Sequence, residues 1–261
     1  MNRANPENSS PQSDERDDYI LHVSGLSLSY DGKTVLDNVH LSVKGNRVFA
    51  LVGANGAGKT TLIKAITGLR EQDKGDVIIL GALADDKETR AQIAYLPELF
   101  QPPGFLTGLE FIKFTLSLYD QPLVREKLLE TASLVSLSDA ELNSRTGTYS
   151  KGMRQKLGLI AIMLTKAKIM ILDEPMSGLD PFARVAVKKL IAKVVEDGKT
   201  VFFSSHILSD VDEMCDEMAL VSSRVKGVAF QGTANDLKTK TGAKNLEEAF
   251  LKIDQPIDIQ A

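Results

Sequence analysis

The chain reads as an α/β fold, with a parallel core sheet, an N-terminal antiparallel β subdomain and a helical subdomain inserted into the core. Three patterns carry that reading. Residues 47–52 (RVFALV) form a nearly continuous apolar run that ends in glycines, and a helical pattern follows from Lys59 to Gly68. Such a run fits a strand buried on both faces, and strand, glycine loop and helix begin a parallel α/β unit. Two further apolar runs, 169–172 and 200–204, with a helical stretch at 181–196 between them, belong to the same sheet. Ahead of all these, residues 19–23, 26–30 and 39–43 are β-rich, the later two alternating apolar with polar as half-buried antiparallel strands do.

At 261 residues the chain is near the upper end for one compact unit, so a single α/β body with an insert is expected. The main domain is placed at 19–240 and its helical insert at about 98–165. The insert begins in a loop holding Pro102, Pro103 and Gly104 and continues with helical periodicity over 107–119 and 123–135. Past Glu217 come two short strands, 218–222 and 225–230, then helical stretches near Ala234 and Leu246; residues 241–261 form a short helical segment and tail. Neither an internal repeat nor a coiled coil is visible.

Residues 1–18 are polar and acidic, with Arg3 and Arg16 against Glu7, Asp14, Glu15, Asp17 and Asp18, and read as a disordered tail without the apolar core of a secretory signal. They account for most of the net charge of −4, which leaves a near-neutral body. That balance argues against nucleic-acid binding, which needs a basic face for phosphates. The stretch 157–172 is interrupted by Lys166 and Lys168, and no segment reads as a membrane span. Cys215 is the only cysteine, so no internal disulfide framework exists; the usage fits a reducing compartment and a small buried hydrophobe.

Gly53-Ala54-Asn55-Gly56-Ala57-Gly58-Lys59-Thr60 matches the phosphate-binding loop pattern in its strand-to-helix context and marks a P-loop NTPase core. Glycines let successive backbone N–H groups converge on phosphates, and the helix N-terminus adds partial positive charge. Lys59 is expected to reach the β- and γ-phosphates, with Thr60 a Mg²⁺ ligand and Thr61 a further nucleotide contact. Residues 169–172 end in Asp173 and Glu174. A strand end suits an oxygen partner for hydrated Mg²⁺, so Asp173 is the metal candidate, and Glu174 can hold and deprotonate the attacking water. His22 and His40 fall in early strands and read as structural.

Thr148-Tyr149-Ser150-Lys151-Gly152-Met153-Arg154-Gln155 resembles the signature motif of ABC ATPases, with Lys151 in place of the usual glycine and Met153 in place of the usual glutamine. A simple helix N-cap at Ser150 is compatible with that reading. Ser177-Gly178-Leu179-Asp180 resembles the family's interface loop, His206 its switch histidine, and Tyr30 the aromatic that stacks on adenine. Glu98 stands where the family usually has a glutamine that coordinates Mg²⁺; a carboxylate can also bind the metal but adds negative charge beside triphosphate. The resemblance to nucleotide-binding subunits of ABC transporters runs from about Tyr19 to Phe230, with motif variants similar to those of bacterial export-type ATPases.

The resemblance implies ATP and Mg²⁺ as cofactors and a homodimer or heterodimer of ATPase subunits. In it, Ser150 and Gly152 contact the γ-phosphate of ATP held by the partner's glycine loop, and Tyr30, Gly53, Asn55, Gly56, Ala57, Gly58, Lys59, Thr60 and Thr61 hold the subunit's own. Glu174, His206 and Glu98 are the expected catalytic residues, and Thr60, Asp173 and Glu98 the expected metal contacts. A separate integral membrane permease is the implied partner, with the chain peripheral to the cytoplasmic face of the inner (plasma) membrane. The loop with Leu99, Phe100, Pro102, Pro103, Phe105 and Leu106 is the expected dock, although part of it must serve as insert core. The alternatives are a soluble ABC-type ATPase acting on nucleic acid or the ribosome, which usually carries tandem nucleotide domains or a long coiled coil, and a P-loop kinase or GTPase, which needs neither the signature-like turn nor the His206 segment.

Overall fold

The structure is a computed structural model that describes residues 19–254; the acidic tail expected at 1–18 and the last seven residues lie outside them. The chain starts with a hairpin of β1 (Tyr19–Tyr30) and β2 (Lys33–Lys44), turned at Asp31 and Gly32, both at positive φ. The sequence pattern splits β1 into two runs because Ser24 and Gly25 interrupt the alternation. In the structure it is one strand whose register slips between Val23 and Leu26, so both halves bury Leu21, Val23, Leu26 and Leu28 on one side.

After β3 (Val48–Val52) and α1 (Lys59–Ile66), β4 (Lys74–Ile79) returns to pair with β1, and the two-residue β5 (Ala82–Leu83) completes a four-stranded antiparallel sheet in the order β2-β1-β4-β5. The short α2 (Lys87–Arg90) leads to β6 (Ile93–Leu96), and four helices follow before the chain re-enters the core: α3 (Gly108–Ser117), α4 (Arg125–Leu134), α5 (Asp139–Leu142) and α6 (Lys151–Met163). Thr107 and Glu110 form a reciprocal capping box that fixes the start of α3.

β7 (Ile169–Leu172), α7 (Pro181–Glu196), β8 (Thr200–Ser205), α8 (Leu208–Met214), β9 (Glu217–Ser222) and β10 (Gly227–Gly232) then complete a second sheet, ordered β10-β9-β3-β8-β7-β6. Its five strands from β9 to β6 run parallel, whereas β10 is an antiparallel edge. β3, β7 and β8 are buried at every position, as their unbroken apolar runs require, and Phe49 stacks on Phe202 across β3 and β8 with ring centroids 5.4 Å apart. One apolar cluster fills the space between the two sheets and α1; the other lies between the parallel sheet and the helices. The chain ends in α9 (Ala234–Thr241) and α10 (Leu246–Asp254), the latter packed on α9 and α8. Among the described residues no helix is long and apolar enough to cross a membrane.

Candidate nucleotide site

Parallel α/β sheets gather ligands outside the carboxyl ends of their strands. Here those ends bring together Gly53 to Gly58 after β3, Glu98 after β6, Asp173 and Glu174 after β7, and His206 after β8. A cleft of about 540 Å³ opens there, lined by Asn55, Gly56, Gly58, Lys59, Thr60, Thr61, Glu98, Glu174 and His206, with Val35, Ala54 and Ser177. Gly58 caps α1 at φ 106°, a left-handed conformation open to glycine, which turns the loop sharply enough to point the helix N-terminus into the cleft.

Lys59 is buried. Its ammonium donates to the Gly53 carbonyl at 2.8 Å and the Ala54 carbonyl at 3.3 Å, and lies 3.3 Å from Glu174 Oε1. The other carboxylate oxygen, Oε2, is 2.9 Å from His206 Nδ1. Glu174 itself has φ 48°, a strained value for a non-glycine residue that costs on the order of 1–3 kcal/mol. Its amide donates to Ser204 Oγ at 2.8 Å, and the same hydroxyl donates to Asp173 Oδ1 at 2.6 Å. One serine on β8 therefore orients both acids at the end of β7. Asp173 is buried behind the cleft and faces Tyr95 of β6, whose phenol is pushed up to about 12 by burial and, secondarily, by the Asp173 charge.

Besides Asp173, five expected residues stand apart from the cleft lining. Gly53 and Ala57 are buried in its wall, where Ala57 joins the core beside the antiparallel sheet. Tyr30 is 38% exposed with the Arg70 guanidinium 5.1 Å above its ring, and Val35 of β2 lines the cleft. Ser150 caps α6 by accepting from the Met153 amide at 3.2 Å. Neither Ser150 nor Gly152 lines the cleft. Sequence reasoning missed Val35, since nothing in an alternating hairpin marks which residue overhangs the glycine loop. His22 and His40 bond locally, to Ser42 and Asn38, and Cys215 is half-buried with its thiol pKa raised by burial.

The loop after Glu98 divides by role. Phe100 packs edge-on against Phe111 at 5.4 Å and Pro102 is buried, while Leu99 and Phe105 are 76% and 73% exposed. The Thr146 and Gly147 amides donate to the Leu106 and Gly104 carbonyls at 2.8 and 3.1 Å, strapping this loop to the residues that lead into Ser150.

A buried lysine under a glycine loop at the end of a central parallel strand defines the class, a P-loop NTPase fold. The sequence profile of the ABC transporter family matches residues 36–177, more than half of the chain, and the chain belongs to that family. It is 37% identical over 72% of its length to an uncharacterized ABC transporter ATP-binding protein of a Nostoc species, and 30% identical over 88% to the lantibiotic transport ATP-binding protein SrtF of Streptococcus pyogenes, covering 96% of the latter. It spans 57% of the Nostoc relative and 54% of a similar one from Synechocystis. The solved ATP-binding subunit of an ABC transporter superposes with a TM-score of 0.84 at 30% identity, over 90% of this chain and 99% of that one. A bacterial ABC transporter cassette solved as a dimer shares the fold, with a TM-score of 0.74 at 22% identity over 82% and 98%.

Proposed function

We propose that the chain is the ATP-hydrolysing motor of a membrane transporter, most simply an exporter, and that it works as a dimer with two shared nucleotide sites. The observation that carries this reading is the separation of the site: Lys59, Glu174 and His206 gather at one cleft while the signature-like Ser150 and Gly152 lie outside it. One subunit then supplies the glycine loop and base, and its partner the signature. Export rests on the Lys151 and Glu98 variants together with the likeness to SrtF, itself a lantibiotic transport protein.

The residues present fit a magnesium nucleotide. The Thr60 hydroxyl and the Glu98 carboxylate line the cleft, Asp173 stands behind it, and among the described residues no cluster of three or more acids, histidines or cysteines would cage a metal without help from phosphates. That suits Mg²⁺, which prefers a few protein oxygens beside phosphate and water. Thr60, Asp173 and Glu98 would hold it, and when bound it supplies charge neutralisation at the phosphates. Lys59 exchanges the Gly53 and Ala54 carbonyls for phosphate oxygens. Glu174 takes the proton of the attacking water, and His206, hydrogen-bonded to Glu174, keeps the carboxylate turned toward the cleft.

Closure around two ATP molecules and reopening after hydrolysis turn chemistry into motion. A membrane permease at the cytoplasmic face takes up that motion through the exposed Leu99 and Phe105, whose loop is strapped to the signature turn. Co-purification of the chain with a polytopic membrane protein, lost in Phe105→Asp with nucleotide binding intact, tests the dock. The shared site is tested by Glu174→Gln, which keeps size and hydrogen bonding but removes the proton acceptor. Hydrolysis should fall by about 100-fold or more, and ATP should now hold a stable dimer on size-exclusion chromatography. Wild-type turnover would sink the base assignment; a dead variant that stays monomeric with ATP would sink the shared site.

A further inference from the structure

Lys151, where the signature-like turn departs from its usual glycine, lies against the loop that follows the proposed base. A Cβ built on Gly178 would meet Lys151 Nζ at 2.9 Å, Cε at 3.4 Å and Cδ at 3.7 Å, so the lysine stem runs along the open face of that glycine. Gly178 also has φ +71°, so a side chain there would be strained and would have to displace the end of the lysine. A second touch lies alongside: a Cβ on Gly152 would be 3.8 Å from Leu179 Cδ2.

From Gly178 back to Glu174 there is little slack. The Ser177 amide donates to the Glu174 carbonyl at 3.0 Å, the Leu179 amide to the Met176 carbonyl at 3.3 Å, and Asp180 caps α7 through the Ala183 amide at 2.9 Å. These turns make residues 174–180 a short stiff segment, with the carboxylate of Glu174 at one end and the lysine stem across its middle. Lys151 takes no part in the salt bridges among the described residues, so its ammonium is not drawn away by a carboxylate.

We propose that Lys151 is a positioning residue for Glu174: its stem braces the 174–180 segment, so the placement of the signature turn sets the placement of the base in the same subunit. The inference rests on the shared-site reading. If Ser150 and Gly152 face ATP held by the partner, the brace makes each subunit's base respond to nucleotide in the opposite site. A glycine at position 151 has no stem with which to do this.

Steady-state ATPase assays of the full chain with Lys151→Ala and Lys151→Met test it, since methionine keeps the stem as far as Cε without the charge. Lys151→Ala should lower kcat about 10-fold, near 1.4 kcal/mol of barrier, with ADP affinity unchanged, and Lys151→Met should restore most of the loss. Wild-type kcat in Lys151→Ala overturns the proposal. An equal loss in both variants also overturns it, because charge rather than bracing would then matter. A separate control keeps the two readings apart: ATP-induced dimerisation of Glu174→Gln reports the shared site. If that dimer forms while Lys151→Ala turns over normally, only the brace fails; if it does not form, the shared site fails and the coupling between sites falls with it.

Discussion

Lys59 Nζ stands 3.3 Å from Glu174 Oε1, with the two side chains only 6% and 8% exposed. The lysine expected to meet phosphate is therefore paired with the carboxylate expected to act as base. Three partners share that cation, counting the carbonyls of Gly53 and Ala54. Nucleotide entry has to exchange them for phosphate oxygens, and the ion pair is the costliest to give up.

Removing the charge of Glu174 should accordingly ease binding. Glu174→Gln is expected to tighten ADP binding about 3- to 10-fold, on the order of 1 kcal/mol. ADP is the proper probe because it lacks the γ-phosphate that the partner's signature would contact. Fluorescent ADP titration of wild type and variant reads the change, and an unaltered Kd would mean that the pair does not restrain Lys59.

Much of this cleft was legible because its determinants are local. The glycine loop needs only β3 before it and α1 after it, and the acids Asp173 and Glu174 follow an apolar run too uniform to be anything but a buried strand. β4 was not legible: Lys74, Gly75 and Asp76 mask a strand that is half solvent-facing. β6 has only four residues, and its membership in the core depends on pairing with β7, more than 70 positions away in the chain. Tyr30 follows from family position alone, and a hairpin pattern does not mark Val35 as a side chain that overhangs the glycine loop. The antiparallel course of β10 is likewise set by a short connection from β9, not by its composition.

Glu98 lines the cleft beside Thr60 and is exposed, so its carboxylate is free to join a metal shared with phosphate. Glu98→Ala should weaken magnesium-dependent turnover more than nucleotide binding measured without metal, whereas Glu98→Gln should be mild because the amide oxygen still coordinates. A magnesium titration of ATPase activity separates the two. Equal small effects of Ala and Gln would leave Glu98 a structural place only.

Tyr95 gives the site an alkaline limit. Its phenol is raised from about 10 to about 12 by burial and by the Asp173 charge. The folded state thus keeps a proton that the unfolded chain loses above pH 10. The stabilisation is complete below pH 10 and is lost as pH rises toward 12. Tyr95→Phe removes the titration, so its Tm relative to wild type should rise between pH 10 and 12 while the difference at pH 8 stays flat. A constant difference across that range would show that the phenol ionises alike in both states.

Asp210 is 4% exposed and joins two helices that each start beside a site residue. Its carboxylate takes a hydrogen bond from the Arg184 guanidinium and lies 2.9 Å from Lys188 Nζ, both on α7, and Lys188 also reaches Glu213. Burial alone would lower the Lys188 pKa, but hydrogen bonds to Glu213 and Asp210 and their charges raise it overall, so its ammonium stays charged at neutral pH. α7 begins directly after the 177–180 loop and α8 two residues after His206. Asp210 therefore fixes the His206 segment to the segment that carries Glu174. Asp210→Asn keeps the shape but leaves two cations without their shared acid; because Arg184 and Lys188 are partly solvated, the cost should be about 1–3 kcal/mol, below the full penalty of a buried broken pair. Thermal or urea unfolding reads that loss. If the network acts through His206, Asp210→Asn should also lower kcat with little change in KM, and in a His206→Ala background the same substitution should lower kcat no further. A second, equal drop in that background would mean that Asp210 does not act through the histidine.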